Sequence, residues 1–540
     1  MTERKSRLER WVDDHRELIL LAAVLPVGKA MSVVGSLQRS LTRPKPDAHE
    51  ARVARVMADV QRYARLRREG DPEGQRTLRT DRRGDASLNT RVSDKSQAAR
   101  IAMGDLRAIL HVDREAGLVR VEPFATIGEI AEHLDGLGLQ LEATIEMKDA
   151  TIGGLVLAVG MTTHSHHCGL MHDIVEAYEV VTARGELVRA TRDGEHAELF
   201  RALPWSHGTL GLLVALELRV VPAPTHVRLV YRPFYDLDEY VDEHTRRLEA
   251  DDAPFFLEGQ VFGRDRAVLL EGHPATEHEV RSGELPVRDV SRWNQPFFFK
   301  HVQSMLELGA GQTASELVPT YSYLMRHDRS MCMTMGKIVP TANAPWFRST
   351  MGWTLPPNMK LLKRSRPLEE RVRAMRQQVY QDFGFPAEHL REMLLHLHRT
   401  FEIYPLLVYP CRVIDRGGMV RLPGQVGQPW DGTERSAYYL NLGIYGAPRD
   451  VREGQAQYPT ITKVRELEGM VRERGGFLHT YVDVFSTEAE LEAMFDHTLW
   501  RRMRARYGAE GVFPTVYEKI RPEVDTEPFL EQERAWLAAP

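Results

Sequence analysis

The stretch TIGGLVLAVGMTTHSHHCGLMHDIVEAYEVV, residues 151–181, decides how the chain is read. A glycine pair (Gly153, Gly154) and a third glycine (Gly160) precede a knot of hydroxyls and imidazoles, and the segment ends in a strand-like apolar run. Glycine lets a backbone approach a ligand closely and adopt positive φ, and successive free N–H groups form a nest for anions. The segment therefore reads as a pyrophosphate cradle. Thr151, Ile152, Gly153 and Gly154 would allow close approach, Gly160 and Met161 would turn the chain, and Thr162, Thr163 and Ser165 would add donors. A tight turn between buried strands has the same composition. The histidines raise a third reading, because zinc takes His and Cys. His164, His166, His167, Cys168 and His172 are crowded, however, neighbouring His167 and Cys168 cannot easily face one ion, and no second cluster completes a set. No metal is expected.

A second glycine segment strengthens the cradle reading. In PWSHGTLGLLVALELRVVPA, residues 204–223, Ser206, Gly208, Thr209 and Gly211 lead into a long buried strand. Neither G-x-G-x-x-G after a strand nor G-x-x-x-x-G-K-[ST] occurs, so a nucleotide would be held by something other than a Rossmann or P-loop unit.

The 540 residues, 43% hydrophobic and 27% charged, describe a soluble globular chain long enough for several domains. Three dispersed cysteines, Cys168, Cys332 and Cys411, argue for a reducing compartment. A net charge of −5 gives no reason to expect nucleic acid. Residues 39–100 nevertheless hold 16 basic and 9 acidic side chains, a surface suited to phosphates of lipid or nucleotide, or simply a solvated helical face. Ahead of them, LILLAAVLPV (residues 18–27) is too short an apolar run to span a bilayer, which takes about 20 residues. Residues 8–37 read as an interfacial or docking helix, making peripheral membrane contact or packing on the protein itself.

Along the chain, 51–68 has helical spacing of apolar residues. Thr126 and Glu129 form a capping box, and residues 175–191 form a hairpin turning at Arg184-Gly185. Prolines at 222 and 224 mark a boundary. The fold class is α+β. Four parts are expected: an N-terminal helix (1–45), a nucleotide domain (46–224), a larger α+β substrate or cap domain (225–470), and a helical C-terminal segment returning to the nucleotide domain (471–540).

Two glycine turns separated by a hairpin and a short helix, with Gly169-Leu170 followed by Asp173-Ile174-Val175, resemble the PCMH-type FAD-binding domain of vanillyl-alcohol-oxidase-like flavoproteins, built of two α+β subdomains. TIGGLVLAVG, SHHCGLMHDIVEAYEVV, LFRALPWSHGTLGLLVALELRVVPA, PFFFKHV, LGIYGAPR and FPTVYEKI together are similar to the sterol Δ24-reductase family, from about residue 45 to 525. The resemblance implies FAD, NADPH as co-substrate, and reduction of the side-chain double bond of a sterol such as desmosterol. It puts Arg82, Arg83 and Gly84 in the first pyrophosphate loop, and gives His166 a counterpart in the family pattern, in flavin contact or in packing. Relatives in the wider superfamily that bind flavin covalently do so through a His in the first loop or a Cys before the glycine pair. RTDRRGDASLNT (residues 79–90) and Asp149-Ala150 contain neither, so non-covalent FAD is expected. An unactivated alkene also needs an acid in a dry pocket, for which Tyr404, Tyr445, Tyr481 and His479 are the candidates. A cytoplasmic enzyme, peripherally held at a membrane, follows. The rival readings are an FAD-linked oxidase or dehydrogenase of an alcohol, lactone or 2-hydroxy acid, and a non-catalytic lipid-binding protein on a flavin fold.

Overall fold

The computed structural model describes residues 20–83, 95–358, 361, 368–455 and 457–538. Gly84 and residues 85–94 lie outside the described residues, as do residues 1–19.

Two antiparallel sheets organise the chain. Strands β1 (Leu78–Thr80) and β2 (Ala99–Ile101) form a small parallel pair. They are followed by β3 (Ile109–Asp113), β4 (Leu118–Val121), β5 (Leu139–Leu141), β6 (Val175–Val181), β7 (Leu187–Thr191) and β8 (Leu212–Pro222). These six make the first sheet, in the order β3-β4-β8-β6-β7 with β5 paired to β8. The predicted capping box at Thr126 and Glu129 starts the helix Ile127–Asp135, and Gly185 supplies positive φ in the β6–β7 turn. The second sheet holds β9 (His226–Phe234), β10 (Phe256–Gly263), β11 (Arg266–Pro274), β12 (Ala314–Pro319), β13 (Val379–Pro386), β14 (Leu406–Asp415), β15 (Arg435–Gly446) and β16 (Phe477–Leu478). Its order is β12-β9-β11-β10-β14-β15-β13-β16. Only residues 223–225 separate β8 from β9, so the chain crosses from one sheet to the other at the two prolines.

Side chains alternate between the faces of a strand, and directly paired residues share a face. The pairs Gln260↔Leu407, Leu407↔Gly443, Tyr409↔Asn441 and Asp382↔Gly443 therefore put Glu258, Gln260, Tyr409, Asn441, Tyr445 and Asp382 on one face of the second sheet. A row of polar groups this long across a sheet interior is unusual, because burying each one costs free energy unless it is hydrogen-bonded. The opposite face is ordinary core. There the helix Leu237–Glu249, capped by Asp236, buries Tyr240, His244 and Leu248, and Tyr240 lies where a side chain at Gly259 would have to go.

The segment after residue 470 divides. β16 joins the second sheet, and the helix Glu527–Ala538 lies on the helix Thr460–Glu473, where Glu533 accepts from the N–H groups of Ile461 and Thr462. Residues 498–520 instead return to the first half of the chain. Arg504 donates to the carbonyls of Thr209, Ala509, Phe513 and Pro514, and the Leu78 N–H donates to Val512. Phe513 fills a small second core with Val53, Val56, Leu78, Ile101 and Val214.

At the start of the described chain the helix Leu25–Leu41 runs well past the apolar decapeptide read from the sequence. The stretch Leu21–Leu41 is long and apolar enough to cross a membrane, by length and composition. It exposes Val27, Met31, Val34, Leu37 and Leu41. Its Gly28 lies close to Asn358, whose amide donates to Ser32, and exposed Trp346 and Trp353 belong to the neighbouring segment.

Candidate active site

The two glycine turns both face the second sheet but are built differently. In the first, Thr151 precedes the helix Ile152–Leu157 and its hydroxyl accepts from the Arg82 guanidinium at 3.2 Å. Gly153 and Gly154 have separate reasons to lack a side chain. A Cβ on Gly153 would fall 2.6 Å from the Pro123 ring, so Gly153 serves packing. Gly154 is exposed, and a Cβ there would meet only the Thr151 hydroxyl and Arg82. Gly160 is again a packing glycine, against Met171. After the helix, the buried run 159–163 leaves the N–H groups of Val159, Gly160, Met161 and Thr163 with no backbone acceptor among the described residues. Buried N–H groups are almost always paired, so this run calls for an acceptor beyond the described residues, a place that a bound anion would suit. Lys95, which the sequence reading missed, lies beside Arg82 and donates to the carbonyls of Thr80 and Arg82. Burial, then Arg79 and Arg82, push its ammonium down to about 8. An anion would relieve this crowding of positive charge.

The hydroxyls and histidines beyond the run tie the first turn to the second sheet. The Thr162 N–H donates to the Ser165 hydroxyl, and the Thr162 hydroxyl reaches Glu146 at 3.4 Å. Thr163 meets the Tyr323 hydroxyl at 3.1 Å and accepts from the Leu257 N–H through its carbonyl. His164 donates to the carbonyl of Phe255, and His166 and His167 both donate to that of Pro254. Burial pushes His164 down to about 4 and His166 to about 3, so both rings are neutral. The histidine knot is thus a latch onto the start of β10. Asp173 is equally occupied, accepting from the Leu170 N–H and pairing with Arg416, while Gly169 takes the positive φ that this bend requires.

The second turn carries strain and spends its hydroxyls internally. Trp205, His207 and Gly208 hold φ of 64°, 53° and 68°, conformations that cost a non-glycine residue of order 1 kcal/mol or more each. Ser206 donates to Leu203, and Thr209 donates to Ser206 while accepting from the Trp500 indole. Gly211 makes room for Val180. His207 shares a 2.6 Å hydrogen bond with Thr480, and Lys519 donates to the His207 carbonyl.

Between the turns lies the polar face of the second sheet. Arg326, fully buried, bonds Glu258 at 2.8 Å and Glu146 at 3.0 Å and sits 4.2 Å over the Tyr323 ring. Burial works to raise Glu258, but Arg326 and His327 outweigh it and hold the carboxyl at about 2, whereas burial wins at Glu146 and raises it. Further along, Asp382 takes the Tyr445 hydroxyl at 2.5 Å and also accepts from Tyr481 and Asn441. Burial pushes Asp382 up to about 6 against those hydrogen bonds. A Cβ on Gly443 would fall 2.5 Å from the Tyr445 hydroxyl and 2.8 Å from Asp382 Oδ1, so this central-strand glycine creates the space in which the two meet. Cys332 lies close by, in a run (Met331, Cys332, Met333) of three non-glycine residues with positive φ.

Of the acid candidates, Tyr445, Tyr481 and His479 come together here. The His479 N–H donates to the Asp382 carbonyl, its ring stacks on Phe477, and burial lowers its imidazole to about 3. A neutral imidazole of that kind is no proton donor near neutral pH. Tyr404 is elsewhere. It bonds His398 and packs near Leu237, Val261 and Leu406, on the opposite face.

Residues 84–191 match the family of FAD binding domains. Over 476 residues the chain is 33% identical to the Delta(24)-sterol reductases of Homo sapiens and Macaca fascicularis, covering 88% of this chain and 87% of each relative. The Arabidopsis thaliana Delta(24)-sterol reductase is 31% identical over 551 residues, 99% of this chain and 97% of its own.

The chain belongs to the Delta(24)-sterol reductase family.

Like its family it is an FAD-linked oxidoreductase with a PCMH-type FAD-binding domain in an α+β fold. The residues fit that cofactor. A diphosphate would suit the N–H groups of Val159, Gly160, Met161 and Thr163, which have no backbone acceptor among the described residues, the open side of Gly154, and the charges of Arg82 and Lys95. In this sterol reductase family member Lys95 was legible only as part of a basic region, and Asp382 sits in an apolar strand whose sequence gives no sign of function.

Proposed function

We propose that the protein reduces the side-chain double bond of a sterol-like lipid, with NADPH as hydride source and FAD bound non-covalently. The observation that carries this reading is the identity, over nearly the whole chain, to relatives named Delta(24)-sterol reductase. When bound, FAD supplies a two-electron carrier between nicotinamide and alkene. The chain's own residues do the rest. Arg82, Lys95 and the 159–163 amides hold the diphosphate. The latch of His164, His166 and His167 keeps the cradle against β10. The polar face, closed off by the first turn and by Trp205, excludes water, and the Tyr445 or Tyr481 hydroxyl delivers a proton to the alkene. Burial keeps both phenols protonated. Tyr404 has no part in this.

The same reading makes the enzyme cytoplasmic, with peripheral contact to the membrane that holds its lipid substrate. The exposed apolar side chains of Leu25–Leu41, with Trp346 and Trp353 beside them, support the contact. Failure of the protein to sediment with phospholipid vesicles would remove that part.

The whole reading is tested anaerobically by flavin absorbance. NADPH should bleach the flavin and a Δ24-unsaturated sterol should restore its colour. Bleaching by a polyol or hydroxy acid, with none by NADPH, would transfer the protein to the oxidase and dehydrogenase class.

A further inference from the structure

We propose that Asp382 is the proton reservoir of the reaction and sets the direction in which the Tyr445 hydroxyl points. The inference rests on the reductase reading above and assigns a function to a residue outside the tyrosines.

The argument is one of hydrogen-bond direction. Asp382 Oδ1 and the Tyr445 hydroxyl oxygen are 2.5 Å apart, with Tyr481 and Asn441 as the other donors to the carboxyl. An ionised carboxylate only accepts, so with Asp382 charged the phenol proton is turned back toward it and faces away from any substrate. A neutral carboxyl can donate. Its O–H then points at the Tyr445 oxygen and leaves the phenol proton free to point into the site. The surroundings push it toward the neutral form: Asp382 is only 3% exposed and no cation pairs with it among the described residues. The titratable groups around it are Tyr445 on β15, Tyr481 and His479 after β16, and Cys332, with Glu146 acting on Tyr481 from farther off. By contrast Glu258, on the same face, is held ionised by Arg326 and His327. Below about pH 6, therefore, the two carboxyls on one sheet face take opposite protonation states. The absent side chain of Gly443 makes the Asp382–Tyr445 contact possible.

The step balances. The π electron pair of the alkene forms a C–H bond to the Tyr445 proton as the phenol O–H breaks. The phenolate oxygen takes the carboxyl proton of Asp382, leaving a carboxylate. The adjacent carbon receives the hydride that NADPH has supplied through the reduced cofactor. Solvent reprotonates Asp382 before the next turnover. Asp382 acts through Tyr445 and is a positioning residue.

The experiment is rapid mixing of NADPH-reduced holoenzyme with a Δ24-unsaturated sterol, followed by flavin reoxidation as a function of pH. In the wild type the rate should fall about tenfold per pH unit above the Asp382 titration at about 6. Asp382→Asn, which keeps the acceptor oxygen but no acidic proton, should lower the rate about 100-fold and flatten that limb, with FAD loading retained. Infrared spectroscopy of the resting protein gives a second readout. A band from a buried protonated carboxyl should fade as pH rises through about 6, and should be missing from Asp382→Asn. A flat wild-type profile overturns the proposal, whether or not the variant folds. So does an Asp382→Asn rate within threefold of wild type. If wild-type flavin is not reoxidised by sterol at all, the reductase reading fails. The infrared band then decides separately whether Asp382 is a protonated carboxyl.

Discussion

The two glycine turns look alike in sequence and are tied into the molecule differently. Residues 151–169 leave a strip of buried N–H groups without backbone acceptors among the described residues, and their Thr151 hydroxyl accepts from Arg82, whose carbonyl takes Lys95. Residues 204–211 spend their hydroxyls internally and are held from behind by the C-terminal segment through Trp500, Arg504 and Lys519. Glycine content does not separate a ligand cradle from a structural socket. The partners of the side chains around it do.

The sharpest break in the comparison comes from Arg504. Its guanidinium is buried and serves four carbonyls, so Arg504→Ala should destabilise the protein by about 4 kcal/mol in urea unfolding. The variant's FAD dissociation constant, measured where it is still folded, should stay within about threefold of wild type. A selective loss of FAD affinity would make the second turn a cradle after all.

Acid should act on the first turn. His164 and His166 are neutral when folded, with pKa values lowered to about 4 and about 3 from 6.5. The unfolded state therefore binds more protons below pH 6.5. The latch contribution is fully present above that pH and is lost as pH falls toward 4, by at most about 1.4 kcal/mol per pH unit for each histidine. Replacing His166 with Gln should reduce the slope of stability against pH over that window, as followed by urea midpoints. An unchanged slope would take the latch out of the acid response.

The gentlest change is Arg82→Gln. It should weaken FAD binding about tenfold, equal to about 1.4 kcal/mol, in a fluorescence titration. The apoprotein's melting temperature should barely move.

Much of the first half was legible because its elements are local: a capping box at Thr126, a hairpin at Gly185, a strand closed by Pro222. The histidine knot was visible as a feature. Its partners, the carbonyls of Pro254 and Phe255, lie some ninety residues away and carry no side-chain signature. The same limit applies to the polar face. Tyr445 and Tyr481 could be named as hydroxyls, but only the register Asp382↔Gly443 brings a carboxyl to them across the sheet. VYQDFGFP gives no hint of this, reading as one more buried strand. Gly153 and Gly154 were indistinguishable in sequence, because Pro123, which requires the first of them, is remote.

The return of residues 498–520 to the first sheet has a consequence for biosynthesis. The small core around Val53, Leu78 and Val214 is completed by Phe513, which leaves the ribosome after the entire second sheet. At ordinary elongation rates that delay is roughly tens of seconds. Throughout it the nascent flavin domain has an open seam where Val512 will later accept from the Leu78 N–H. The cofactor's domain is the first to be made, yet it is closed only after the whole second sheet has been synthesised.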